Sequence, residues 1–269
     1  MKEPLDQYIK VAIQGEIRRV GKYQVAHQKS QSCTVSPLNR ISTNIDRRSQ
    51  DMLIKTLRKL TPSYGIIAEE GSFNHESVSG RYWCIDPLDG SANYVSGLPL
   101  WCISLCLLDD FIPIFAITYI PSSDDMFCAT RKVGAYLNGK KMHIQDRPLE
   151  SVLFSFPIEK YQSRTILQKR LGQLGKISGL VGDIRVFNAT CLELCYVASN
   201  KLGGLFVEDT ASIWDVVGGM LIVEEAGGIV TNSEGLDLRF DQIIDRKYSV
   251  FAGSVEVHGS LLNIMKEKV

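Results

Sequence analysis

Residues 81–94 read RYWCIDPLDGSANY. An apolar run of strand character stops at Asp86. Asp89 follows three residues later, with Pro87 between them and Gly90 and Ser91 directly after. Two carboxylates this close repel, so the position takes up either a proton or a cation. A second apolar run, GIIAEE, also ends in acids, Glu69 and Glu70. Strands whose last residues are acidic can bring those acids to one edge of a sheet. This constrains the fold more than any other feature of the chain.

The remaining pattern supplies sheets and helices for that edge. Leu5, Tyr8, Ile9, Ala12, Ile13, Ile17 and Val20 recur at steps of three and four, which predicts a helix over 4–26 with one buried stripe. Arg18, Arg19 and Lys22 fall in that segment and read as a solvated face. Residues 27–42 are polar and read as a loop, whose Lys29 and Arg40 are either lid charges or surface charges. Thr43 stands three before Asp46, a capping-box spacing, so a helix is expected to about Leu60, with Pro62 and Gly65 marking its exit. The polar stretch 71–80 reads as a loop. LWCISLCLL and IPIFAITYI read as buried strands joined by the turn DDF, and MFCAT and GAYLNG continue the strands, with Asn138-Gly139 as a tight turn. In the second half, strands are expected in SVLFSF, DIRVF, LGGLFVE, GGIVTN and YSVFAG. Helices are expected near 162–174 and 188–200, over IWDVVGGMLIVEEAGG and from Val255. This mixed order implies layered α+β structure, not a plain doubly wound sheet.

Composition excludes several classes. At 269 residues, 45% hydrophobic and 22% charged, the chain has enough apolar material for one large domain or two packed halves. Lys+Arg and Asp+Glu are both 30, so there is no basic excess to suggest nucleic-acid binding. No apolar run reaches the roughly 18 residues of a spanning helix, and the N-terminal segment reads as neither signal peptide nor anchor. The seven cysteines form no disulfide framework, which points to reduced thiols and a cytoplasmic location. Cys102 with Cys106, and Cys191 with Cys195, read as buried small apolar residues.

Glu69, Asp86, Asp89, Asp215 at the start of IWDVV and Asp46 at the other helix start are thus candidates for one carboxylate cluster. An acid at a helix start is often only a cap. Several together with no arginine cluster fit a hard cation such as Mg²⁺, which prefers oxygen ligands.

WCIDPLDGSANYVSGLP resembles the first signature of the inositol monophosphatase family, and IWDVVGGMLIVEEAGGIVT resembles the second, with Val217 where Ala is more usual. GIIAEE is similar to the family's G-E-E strand end, with Ala68 in place of Gly. The order and spacing fit nearly the whole chain. The resemblance implies an αβαβα sandwich of the inositol monophosphatase and fructose-1,6-bisphosphatase type. It also implies a single unit over 1–269, with a metal-binding half near 1–145 and a substrate-pocket half near 146–269, and a homodimer. The activity implied is phosphate monoester hydrolysis with two or three Mg²⁺ ions, within a superfamily of lithium-sensitive type. By position, Glu69, Asp86, the Leu88 carbonyl, Asp89 and Asp215 would hold metal. Asp46 and Ser91 would orient and deprotonate the water. Glu70 either supports them from behind or is a solvated neighbour. Gly90 and Ser91 would receive the phosphate through their N–H groups.

Arg185 and Glu208 match family positions near the substrate, or are a salt-bridge partner and a surface acid. Asn188-Ala189-Thr190-Cys191 stands where the family has G-[ST]-A-A, which weakens the expectation of strict inositol preference. Gln50 stands where the family often has Glu, a change expected to touch the helix surface. The leading expectation is inositol 1-phosphate or a related sugar phosphate as substrate. Fructose-1,6-bisphosphatase, 3′-phosphoadenosine 5′-phosphate phosphatase and a catalytically idle regulatory binding protein are the alternatives.

Overall fold

The computed structural model describes residues 5–29, 33–35, 41–70, 74–75, 79–158, 163–241 and 246–266. The first half contains α1 (Gln7–His27), β1 (Cys33–Val35), β2 (Ile41–Thr43), α2 (Asn44–Leu60), β3 (Gly65–Ala68), β4 (Asn74–His75), β5 (Arg81–Asp89), α3 (Ser91–Val95), β6 (Cys102–Asp109), β7 (Ile112–Ile120), β8 (Asp125–Thr130), β9 (Gly134–Leu137) and β10 (Lys140–Lys141). The second contains β11 (Leu153–Ser155), α4 (Arg164–Ser178), β12 (Asp183–Arg185), α5 (Thr190–Ala198), β13 (Gly204–Ala211), α6 (Ile213–Glu225), β14 (Ile229–Thr231), β15 (Tyr248–Gly253) and α7 (Val255–Met265).

Two mixed sheets organise these elements. One has eight strands in the order β10-β9-β8-β7-β6-β5-β3-β4, and the other five, β12-β11-β13-β15-β14. In the large sheet β3 runs parallel to β5 and the other pairs are antiparallel. Alternate side chains of its central strands enter different cores. Trp83, Ile85, Ile103, Leu105 and Leu107 pack with Ile13, Ile17, Leu53 and Leu57 of α1 and α2. Cys84, Cys102, Cys106 and Leu108 pack instead with α5 and α6. Strands covered on both faces need apolar residues at every position, which is why these runs lack polar alternation. Beyond α5 and α6 lies the five-stranded sheet. Its far face packs Phe154, Phe206 and Phe251 against Ile177 of α4 and Val257 and Leu261 of α7. The layers are therefore α, β, α, β, α, as the family resemblance implies.

Several local expectations are corrected. Tyr8 lies at helical spacing but is 74% exposed, while Leu5 and Ile9 on either side of it pack against the core. Within 71–80, Asn74 and His75 pair with Ile67 and Ile66 as an edge strand. Backbone hydrogen bonds build it without an apolar signal in the sequence. Half of 27–42, Arg40 included, lies outside the described residues. Within it, Cys33–Val35 pairs antiparallel with Ile41–Thr43. The expected turn at Asn138-Gly139 forms, with positive φ at both residues.

Asp89 belongs to β5 itself, not to a turn after it. Asp86 pairs with Ser104 and Asp89 with Cys102, three steps on one strand against two on the other. The extra residue is a β-bulge, and Pro87, which has no N–H to contribute to the ladder, sits inside it. In a regular strand, residues three apart face opposite sides. The bulge lets Asp86 and Asp89 converge on one.

Candidate active site

The carboxylates arrive from separate elements. Glu69 continues β3 past Ala68, and its N–H bonds to the Ile85 carbonyl at 3.3 Å, which sets it beside Asp86. The Glu69 and Asp86 carboxyls lie close enough to share a proton, and Asp215, Asp46 and Glu70 add their fields at Glu69. Asp86 accepts the Leu88 N–H at 3.0 Å. Asp89 Oδ2 accepts the Leu192 N–H at 3.0 Å and faces Cys102 Sγ at 3.6 Å.

Two of the acids sit in helix caps. Asp46 accepts the Thr43 N–H at 2.8 Å in a capping box that opens α2, and its Oδ1 accepts the Ser91 hydroxyl at 2.8 Å. Asp215 does the same at α6, accepting the Ser212 N–H at 2.6 Å. Ser91 Oγ also lies 3.0 Å from the Leu88 carbonyl.

Asp46 and Asp86 are both 1% exposed, and Asp89 is 8% exposed. Among the described residues, neither Asp86 nor Asp89 forms an ion pair with Lys or Arg. At these two, burial and the repulsion of neighbouring acids therefore act without an ion pair to offset them. Burial first, then Asp215, pushes Asp89 up to about 7. Burial, then neighbouring acids, drives Glu69 and Asp86 well above the carboxylate range. Asp46 is raised by burial against hydrogen bonds from Thr43 and Ser91.

Such a cluster can share protons or hold a cation. Oxygens of Asp86 and Asp89 and the thiol of Cys191 all lie within 4.8 Å of one another. The oxygen donors fit Mg²⁺, whereas a thiol suits softer ions. Cys191 Sγ contacts the Trp214 and Asp215 carbonyls at 3.4 and 3.2 Å, and its thiol is pushed up to about 11 by burial.

The turn after β5 completes the site. Gly90 has φ +87, and a Cβ there would lie 2.7 Å from the Leu100 carbonyl and 3.1 Å from Ala189 Cβ. Only glycine meets both conditions. Gly90 caps the short helix α3, which begins at Ser91.

Other expected residues lie in different surroundings. Glu70 is 3.6 Å from Arg47. Arg185 pairs with Asp183 at 2.6 Å on β12. Glu208 on β13 pairs with Lys169 at 2.5 Å, with Arg170 at 3.9 Å. Gln50 is not a surface position. It is buried and grips the end of β3, accepting the Glu70 N–H at 2.9 Å and donating to the Glu70 carbonyl at 2.6 Å. The helix turns this side chain inward, which corrects the expectation of a surface effect.

Sequence reasoning gave no role at the site to four further residues. Gln24 donates to the Pro87 carbonyl at 2.7 Å and to Ser49 at 3.0 Å. Asn93 donates to the Leu100 and Phe187 carbonyls, both at 2.8 Å. Glu193 is buried within α5, and Cys191 lies beside the acids. A signal existed for two of them. Gln24 falls on the buried stripe of α1, four after Val20, and Glu193 is an acid inside the apolar run TCLELCYVA.

A model of the inositol monophosphatase family matches residues 6–265. The chain belongs to the inositol monophosphatase family. Nus factor SuhB of Xylella fastidiosa is 31% identical over 255 residues, covering 93% of this chain and 88% of that protein. Inositol monophosphatase 2 of Solanum lycopersicum is 29% identical over 273 residues, covering 98% of this chain and 99% of that protein. The crystal structure of the extragenic suppressor protein SuhB from Bartonella henselae has a TM-score of 0.88 at 25% identity, covering 98% of this chain and all of that one. The family thus includes relatives named for a phosphatase and relatives named as a Nus factor. Among the described residues, no helix is long and apolar enough to cross a membrane.

Proposed function

We propose that this family member is a Mg²⁺-dependent phosphate monoesterase, acting on inositol 1-phosphate or a related sugar phosphate. The observation that carries the reading is the set of buried Asp86 and Asp89 with half-buried Glu69 and Asp215 around the bulged end of β5, with the Asp46–Ser91 pair beside it. Glu69, Asp86, the Leu88 carbonyl, Asp89 and Asp215 would hold the ions. Bound Mg²⁺ would offset their repulsion and supply Lewis-acid activation of water and phosphate.

The other roles fall to this chain's own groups. Ser91 Oγ, donating to Asp46 Oδ1, orients a water and passes its proton toward Asp46, whose burial makes it a better base than an exposed carboxylate. The N–H groups of Gly90 and Ser91 face the phosphate, and the missing Cβ of Gly90 permits close approach. Glu70 supports the cluster from behind Glu69. Arg185 and Glu208 would serve the sugar side. A substrate hydroxyl reaching Glu208 shares that carboxylate with Lys169. A cytoplasmic homodimer that does not bind nucleic acid goes with this reading.

A second reading is favoured by the relatives named Nus factor SuhB. In it the chain keeps the fold and acts as a regulatory binding protein. The retained acids support turnover over this alternative.

Phosphate release distinguishes the two. Inositol 1-phosphate, fructose 1,6-bisphosphate, 3′-phosphoadenosine 5′-phosphate and glycerol 2-phosphate are each offered with Mg²⁺ or EDTA. The expected result is Mg²⁺-dependent release that falls by about 100-fold or more in Asp89→Asn. The preferred substrate assigns the subfamily. No release from any of the four, with Mg²⁺ shown to bind, would favour the regulatory reading.

A further inference from the structure

Glu193 has no part in the chemistry above. It is fully buried on α5, and its contacts converge on one segment. Oε2 accepts the Ala189 N–H at 3.3 Å, and the Phe187 N–H also bonds to the carboxyl. Oε1 contacts the hydroxyl of Ser155 on β11, and the same hydroxyl lies 3.3 Å from the Arg185 carbonyl. The segment from Arg185 to Ala189 is therefore held from behind by one carboxyl.

On its other side, that segment meets the catalytic turn. Asn93, two residues after Ser91, donates to the Phe187 carbonyl. Ala189 lies so close to Gly90 that a Cβ on Gly90 would stand 3.1 Å from Ala189 Cβ. Arg185 to Ala189 thus forms a wall against the turn that would bind phosphate.

The Ser155 hydroxyl donates to Glu193 Oε1, and the Arg185 carbonyl it also faces already accepts the Phe156 N–H at 2.9 Å. Burial, against the Ser155 hydrogen bond and with a further push from Asp89, raises Glu193 to about 8.

We infer that Glu193 is a positioning residue that clamps the 185–189 wall against the Gly90 turn and so sets how tightly substrate is held. The effect on substrate rests on the phosphatase reading, whereas the clamp itself does not.

Three variants of the full chain test it. Glu193→Gln keeps the length and the contacts of the side chain, since its amide oxygen accepts the N–H groups and its NH₂ can donate to Ser155. Glu193→Asp keeps the acid but withdraws it by one methylene, and Glu193→Ala removes it. Amide hydrogen exchange over 183–192 is measured without substrate. KM and kcat are measured on the best substrate of the panel.

Glu193→Gln is expected to match the parent within about twofold in every readout. Glu193→Asp and Glu193→Ala are expected to exchange about tenfold faster through 185–189. Their KM should rise about five- to tenfold with kcat within about twofold, the scale of one hydrogen bond. Exchange through 185–189 no faster in Glu193→Asp and Glu193→Ala than in the parent would overturn the clamp. Faster exchange with unchanged KM, or a fall confined to kcat, would overturn the positioning role. A parent protein that releases no phosphate would defeat the phosphatase reading, and the exchange comparison would still decide the clamp.

Discussion

Gln50 shows how a single residue can be misjudged from its neighbours in sequence. Where the family often has glutamate, this chain places an amide that donates to the Glu70 carbonyl and accepts the Glu70 N–H. A carboxylate could keep only the second of these bonds, and its other oxygen would face a carbonyl 2.6 Å away. Gln50→Glu is therefore expected to destabilise the protein by about 1–3 kcal/mol, the penalty for a buried polar group left without its partner. Urea unfolding at pH 7 reads this directly, and an unchanged midpoint would show that the grip contributes nothing. Asp86 and Asp89 were legible because acids, proline and glycine crowd one strand end. Gln50, Cys191 and Glu193 were not, because their meaning comes from partners that only the fold delivers.

At the scale of elements, β5 to β7 could be read from their unbroken apolar runs, since helices cover both faces of the large sheet. The bulge in β5 could not, because register depends on how Asp86 and Asp89 pair with β6. The helix starts were legible for a reason that also bears on function. Asp46 belongs to the N-cap of α2 and to the carboxylate cluster at once, so capping and chemistry are not competing explanations of it. Thr43→Ala removes the hydroxyl that accepts the Ile45 and Asp46 N–H groups. The expected loss is about 1 kcal/mol of stability, together with a several-fold lower kcat as Asp46 loses one of the contacts that orient it. Thr43→Ser should restore both. If Thr43→Ala lowers the melting temperature and leaves kcat unchanged, the cap acts on the helix alone.

On the scale of the whole molecule, the sandwich buries several acids together, and this links stability to pH and to metal. The Asp89 carboxyl rises from 3.8 to about 7 on folding. Between those values the native state holds a proton that the unfolded chain has released, so stability falls as pH rises. Once the pH exceeds both, the penalty from this one group is about 4 kcal/mol. Glu69 and Asp86 act in the same direction, whereas Asp146 and Asp183, whose pKa values are lowered, act in the opposite one. The difference between the parent and Asp89→Asn isolates the cluster from that background. In EDTA, the parent is expected to lose more stability than Asp89→Asn on going from pH 5 to pH 8. Saturating Mg²⁺ selects the ionised carboxylates, and at 100 times its Kd it should return about 2.7 kcal/mol. That gain should be large at pH 8, small at pH 5 and mostly absent in Asp89→Asn. Thermal melts of both proteins at the two pH values, with EDTA or Mg²⁺, decide it. A parent that is stabilised in EDTA by rising pH relative to Asp89→Asn would show that the buried acids are not held against repulsion, and a cation would have nothing to relieve.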